Sequence, residues 1–214
     1  MDEHASAPEE WIDRDEAAFD RAVGFFDATF ALALTLLVTT IDVEDRLEAF
    51  QSLANLWDAI GGQLLGFAIA FAVISNYWLV HHRLIRRFAG LDYPTIVANL
   101  FLVAAIVLLP FCTDSVGDVG TEQLPLPVAL MAVDIVAASL LSTLVFLLAV
   151  RRRLLVEQPD RREVISDALG GLVPALVFAV SIPIAYLVSP RAATLTWLAL
   201  LVLAPLVPRL AKVM

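Results

Sequence analysis

Charge is absent from long stretches of this chain. Residues 28–41, 59–80, 93–113, 168–190 and 192–208 contain no Asp, Glu, Lys or Arg, and residues 123–150 contain only Asp134. A helix crossing the hydrocarbon of a bilayer needs roughly 20 apolar residues. The pattern predicts six membrane helices, over about 21–42, 57–88, 93–114, 124–151, 166–189 and 191–210. The fold class is an all-α polytopic membrane protein. Between the first two spans, Leu47, Phe50, Leu53, Ala54 and Trp57 recur at helical spacing. They predict a short amphipathic helix over about 45–56, lying on the membrane surface or over an outer mouth. Gly62 and Gly66 form a small-xxx-small pair inside the second span, a weak signal of close helix packing.

Composition agrees. Of 214 residues, 60% are hydrophobic and 17% charged, against about 45–50% and about 25% in soluble domains. The net charge of −9 is concentrated in residues 1–20, where eight acids face the single base Arg14. That segment reads as an acidic, solvated cytoplasmic tail, and residues 21–214 as one transmembrane domain. No basic surface invites nucleic acid. The acidic start has no basic region ahead of an apolar core, so the first span is expected to direct insertion. Cys112 is the one cysteine, which excludes an intrachain disulfide and argues against a cysteine-built metal site.

The bases set orientation. Arg14, Arg21, Arg83, Arg86, Arg87, Arg151, Arg152, Arg153, Arg161, Arg162, Arg209 and Lys212 fall on one side of the six spans, and only Arg46 and Arg191 on the other, 12 against 2. Both termini are therefore expected in the cytoplasm, with the protein in the cell membrane.

No enzyme motif of the HExxH, GxxxxGK, GxSxG or GxGxxG type occurs. His81 and His82 are adjacent and point about 100° apart on a helix, an awkward pair for one metal. They read either as an interfacial cluster beside Arg83 or as inward hydrogen-bond partners. Asp27 and Asp134 lie inside spans, where a carboxylate costs about 2.5–3.5 kcal/mol and must face protein or water. Asp27 is either a helix-to-helix clamp or a cation or proton site. On the first helix Leu32, Thr35, Leu36 and Thr39 form one stripe at i, i+3, i+4 and i+7. Asp27 lies about 140° from Leu32. The helix thus has two interfaces, one polar and clamped, one of alternating apolar and hydroxyl positions.

These residues resemble a known family. Arg21-x-x-x-Phe25-Phe26-Asp27, followed by Phe30-Ala31-Leu32-Ala33-Leu34-Thr35-Leu36-Leu37-Val38, resembles the RxxxFSD signature and following helix of the transmembrane protein 175 family. These are lysosomal potassium channels and their bacterial and archaeal homologues. Trp78-Leu79-Val80-His81-His82-Arg83-Leu84 is similar to the segment ending that family's second helix, and Asn99 and Leu109-Pro110-Phe111 fit its third. Phe26 stands where the signature has serine, a bulky ring in place of a hydroxyl.

The resemblance implies a potassium-selective channel, a homotetramer of six-helix subunits with the first helix lining the pathway. By position it implies an apolar constriction at Leu32, further rings at Leu36 and Thr39, and Thr35 as the hydroxyl level tied to potassium preference. It implies a buried network of Arg21, Asp27, Trp78, His81 or His82, and Asn99 behind that helix. The potassium ion is the permeant species and no cofactor is implied; the partners are the bilayer and further copies of the chain. No TVGYG filter segment occurs. Asp42, Glu44, Asp45 and Glu48 are expected near the outer mouth. The rival reading is a proton-conducting channel or transporter using Asp27 and His81 or His82.

Overall fold

The computed structural model describes residues 11–43, 46–117 and 123–200, most of them helical. The order is β1 (Trp11–Asp13), α1 (Ala17–Leu36) tightening into a 3-10 turn (Leu37–Thr40), α2 (Arg46–Ala49), α3 (Leu53–Ile85), β2 (Gly90–Asp92), α4 (Tyr93–Gly117), α5 (Pro125–Arg151), α6 (Arg161–Leu187) and α7 (Pro190–Thr196). Among the described residues, five helices are long and apolar enough to cross a membrane: Ala17–Thr40, Leu53–Ile85, Tyr93–Val116, Pro125–Arg151 and Arg161–Leu187. Of the sixth expected span, α7 covers the beginning, and residues 201–210 lie outside the described residues, as do Glu44 and Asp45.

Caps explain where the boundaries differ from expectation. The short helix expected over 45–56 is split. Ser52 Oγ accepts from the Asn55 amide at 3.1 Å, so a new helix starts at Leu53. Only Arg46–Ala49 remains as α2, and Leu53 and Trp57 belong to the first turns of α3. Likewise Asp160 and Glu163 form a reciprocal capping box at 2.8 and 3.2 Å, which starts α6 at Arg161, ahead of the expected 166.

The helices pack in series. α5 lies against both α4 and α6, and α4 also carries α1 and α3. The largest fully buried side chains include Phe26, Phe30 and Leu37 from α1, Ile74 from α3, Leu102, Ile106 and Leu109 from α4, and Ile135 from α5. α1 is therefore held by α3 and α4 on one side only.

The acidic segment 1–20, expected to be solvated and loose, is fastened from Trp11 onward. Trp11, Ile12 and Asp13 pair antiparallel with Asp92, Leu91 and Gly90, a small ribbon the helical pattern does not disclose. Arg14 Nη1 donates to the carbonyls of Arg86 (2.9 Å) and Phe88 (2.7 Å), groups that the end of α3 leaves without helical partners. A Cβ at Gly90 would lie 2.6 Å from the Ile12 carbonyl oxygen, so this approach needs glycine. The α5–α6 connection joins the same layer: Ala89 N donates to Leu154 O at 2.7 Å and Val156 N to Arg87 O at 2.9 Å.

Asp92 is the hub of this layer. Its Oδ1 caps α4 by accepting from Thr95 N at 3.0 Å, and its Oδ2 accepts from the Arg152 guanidinium at the end of α5. Burial alone would raise its pKa, but the bonds from Thr95 and Arg152 outweigh that and hold it below the ordinary 3.8. A depressed folded-state pKa stabilises the fold fully above the unfolded value, and this contribution is lost as pH falls through the folded value. Thermal unfolding should show stability flat from neutral pH down to the ordinary carboxylate range and falling below it. Asp92→Asn should remove on the order of 1–3 kcal/mol at neutral pH and flatten that acid limb.

Candidate functional site

The two faces expected on α1 are present. Phe19, Phe26, Phe30, Ala33 and Leu37 are buried against α3 and α4. Leu32, Thr35, Leu36 and Thr39 are exposed on the protomer, Leu32 by 54% against 1% for Phe30. Such a split within one helix of hydrophobic composition marks the inner face by fit and the outer face by what it leaves unpartnered.

Each threonine on the exposed side turns its hydroxyl proton inward. Thr35 Oγ1 donates to Leu32 O at 2.8 Å, and Thr39 Oγ1 to Leu36 O at 2.6 Å. This back-bonding satisfies the only proton of the hydroxyl and leaves its oxygen lone pairs free to accept or to ligate.

Behind α1 the structure assembles two polar groups. Asp27 Oδ1 accepts from Trp78 Nε1 at 2.9 Å, and the Trp78 indole stacks on His82 with ring centroids 5.2 Å apart. One turn away, Asn99 Nδ2 donates to Thr95 O at 2.8 Å, which leaves Asn99 Oδ1 facing His81 Nε2 at 2.8 Å. An amide oxygen only accepts, so His81 carries its proton on Nε2. The His81 ring is met edge-on by Phe26 (5.8 Å, 88°) and at a tilt by Phe30 (5.4 Å, 41°). Phe26, at the position where the signature has serine, thus fills space against His81 and adds no polar contact.

Trp78, His81 and His82 sit at i, i+3 and i+4 of α3, so one helical face serves both groups. Arg21 is not brought into them. It is exposed, and among the described residues no hydrogen bond or ion pair joins it to Asp27. Asp134 is buried in α5, and its Oδ2 has no hydrogen-bond partner among the described residues. Tyr77, which sequence reasoning did not single out, donates to or accepts from Ser139 Oγ at 2.7 Å and ties α3 to α5. Its cue was a lone phenol in an apolar run.

The far end of α1 is also pinned. Asp42 N donates to Gln63 Oε1 at 2.7 Å, and Gln63 Nε2 donates back to Asp42 O at 3.0 Å. Beside this clasp a cavity of about 720 Å³ is lined by Thr39, Asp42, Thr113 and Asp114, among others. Asp42 and Glu48 are exposed at this end.

Comparison with known proteins matches this geometry to a family. Residues 21–110, from α1 into α4, match the family model described as endosomal/lysosomal potassium channel TMEM175. A potassium channel of Chamaesiphon minutus is 30% identical over 155 residues, 67% of this chain and 72% of that protein. A potassium channel of Streptomyces collinus is 28% identical over 106 residues, 48% of this chain and 50% of its own length. In fold, the crystal structure of a lysosomal potassium-selective channel TMEM175 homologue from Chamaesiphon minutus superposes with a TM-score of 0.72 at 21% identity, over 92% of this chain and 99% of that one. The potassium channel MtTMEM175, crystallised as a threonine-to-alanine variant with a nanobody–MBP fusion, superposes with a TM-score of 0.64 at 18% identity, over 97% of each chain. The structural likeness carries the fold and the sequence likeness carries the kinship: this chain belongs to the TMEM175 family, a family of channels rather than of enzymes.

Proposed function

We propose that this protein is a potassium-selective cation channel whose pore is lined by α1. The functional unit is a homotetramer of six-span subunits in the cell membrane, with both termini cytoplasmic. The observation that carries the reading is the division of α1 into a face fitted to α3 and α4 and a face bearing Leu32, Thr35, Leu36 and Thr39. One protomer cannot enclose an axis with a single helix, so the pathway requires symmetric copies. The names of the sequence relatives, potassium channels from two bacteria, support the ion.

In this arrangement four Leu32 side chains form the narrow apolar ring and Leu36 a second. An apolar ring blocks ions when it sheds water and conducts when it widens enough to stay wet. Thr35 and Thr39 supply rings of hydroxyl oxygen. Their protons are held by the backbone, so lone pairs face the axis and partly replace the hydration of a cation. Potassium releases its water more easily than sodium, and this favours potassium. Asp42 and Glu48 at the outer mouth raise the local cation concentration, an effect weakened by salt. The groups a proton route would need, Asp27 and His81, are engaged with Trp78 and Asn99 on the opposite side of α1 from the stripe.

Bi-ionic flux through purified protein in liposomes tests the assignment. The unaltered protein should pass potassium over sodium. Leu32→Ala should raise flux severalfold, and Thr35→Ala should lower the potassium preference by roughly fivefold, the equivalent of ~1 kcal/mol, without loss of the oligomer. Unchanged flux and selectivity in both variants would remove α1 from the pore.

The network behind α1 should act on stability. Asn99→Leu leaves the His81 Nε2 proton without its acceptor and should destabilise the protein in detergent by about 1–3 kcal/mol. Asp27→Asn keeps an acceptor for Trp78 and should preserve potassium flux. Selective loss of proton flux in Asp27→Asn, with potassium flux intact, would favour the proton route.

A further inference from the structure

Two stretches of the α5–α6 turn place arginine where local physics disfavours it. α5 ends with Leu154 N donating to Ala149 O at 2.9 Å and Arg153 N to Val150 O at 3.2 Å, the bond pattern of a helix closed by a left-handed residue. That residue is Arg153, with φ of 58°, the one non-glycine residue with positive φ among those described. Glycine takes this conformation without the Cβ clash that arginine suffers. Arg161 and Arg162 occupy the first two positions of α6, at the helix end whose unpaired amides repel a cation. Where a local rule is broken twice in one turn, the compensation lies outside the turn itself.

Among the described residues no side chain supplies that compensation. Asp160 and Glu163 are engaged with each other in the capping box, Asp167 pairs with Arg87 at 3.3 Å, and Arg152 is bonded to Asp92. Glu157 is the other acid of the turn, and it is exposed. Arg151, Arg153, Arg161 and Arg162 are all exposed, and among the described residues none of their guanidinium groups has a hydrogen-bond or ion-pair partner. Backbone pairing of Leu154–Val156 with Arg87–Ala89 brings Arg86 to the same layer.

We propose that this turn binds the headgroup of anionic phospholipids, with Arg151, Arg153, Arg161 and Arg162 taking the phosphate. Guanidinium forks match phosphate oxygens in pairs, with stronger bonds than neutral donors make. A turn joining two membrane helices sits at headgroup depth. Val156 in the turn is 65% exposed, and Ile165 and Leu169 on the first turns of α6 are exposed too. That apolar edge beside the bases fits a lipid, which has acyl chains below its phosphate, better than a free anion. The inference rests on the proposed orientation, which turns this layer toward the anionic cytoplasmic leaflet.

The test uses the full chain in phosphatidylcholine nanodiscs, titrated with phosphatidylglycerol, and reads the thermal unfolding midpoint and lipid retention by native mass spectrometry. Phosphatidylglycerol should raise the midpoint and be retained. Arg153→Gly should raise the basal midpoint by relieving the backbone, yet weaken apparent phosphatidylglycerol affinity by about fivefold. Arg153→Lys should keep most of that affinity, and the exposed pair Arg161→Gln and Arg162→Gln should lose more than tenfold, given about fivefold for each base. Equal response of all variants to phosphatidylglycerol, or a basal midpoint not raised by Arg153→Gly, overturns the proposal. An equal shift from inorganic phosphate in detergent also overturns it, marking a free-anion site. Neither readout requires ion flux, so failure of the channel assignment would leave this result standing and be seen separately.

Discussion

In hydrocarbon a polar group has no water to turn to, so a partner in the protein is worth more there than in water. That constraint organises this molecule around α1. Asp27 cannot face lipid, so the helix must present it to Trp78 on α3. Once that face is chosen, the helical period places Phe26, Phe30, Ala33 and Leu37 against α3 and α4, and leaves Leu32, Thr35, Leu36 and Thr39 outward. One half-buried carboxylate thus sets the rotation of the whole rod about its axis.

The support for that rod is continuous from one membrane face inward. Arg152 at the end of α5 holds Asp92, and Asp92 caps α4 through Thr95. The Thr95 carbonyl accepts from Asn99, Asn99 faces His81, and the His81 ring packs on Phe26 and Phe30 of α1. The ribbon of β1 and β2 and the Arg14 contacts fasten the chain just ahead of α1. At the other end, the Asp42–Gln63 clasp fixes where the 3-10 turn stops. Both ends of α1 are therefore anchored, while its outward face is left exposed by the described residues. Phe26 illustrates how such a frame tolerates change. A ring at this position keeps the packing against His81 through van der Waals contact, without any hydroxyl in the polar network.

Much of this was legible in one dimension. Uncharged runs near 20 residues located five spans to within a few residues, because transfer into lipid depends on composition over a window. The stripe of Leu32, Thr35, Leu36 and Thr39 and its separation from Asp27 followed from 100° per residue. Trp78 and Asn99 were singled out through resemblance and His81 already as one of an adjacent histidine pair, and the structure brings them to α1 in two separate groups rather than as one network. Arg21 was singled out the same way and stands apart, exposed, because a long side chain one turn from a helix start can reach solvent. The segment over 45–56 misled because its apolar period runs through Ser52 unbroken, while capping is decided by one hydroxyl and one amide.

The sequence by itself determined that the chain carries several stretches able to cross a membrane, which residues share a side of each helix, and which charges cannot face lipid. These follow from hydrophobicity and helical period, which are local. The tertiary structure decided which partner each polar group takes: Trp78 for Asp27, Asn99 for His81, Arg152 for Asp92, and Gly90 as the place where the segment before α1 docks. Such pairings join residues 18 to 77 positions apart in the chain. Distance along the chain carries no trace of distance in space, so only packing could select them.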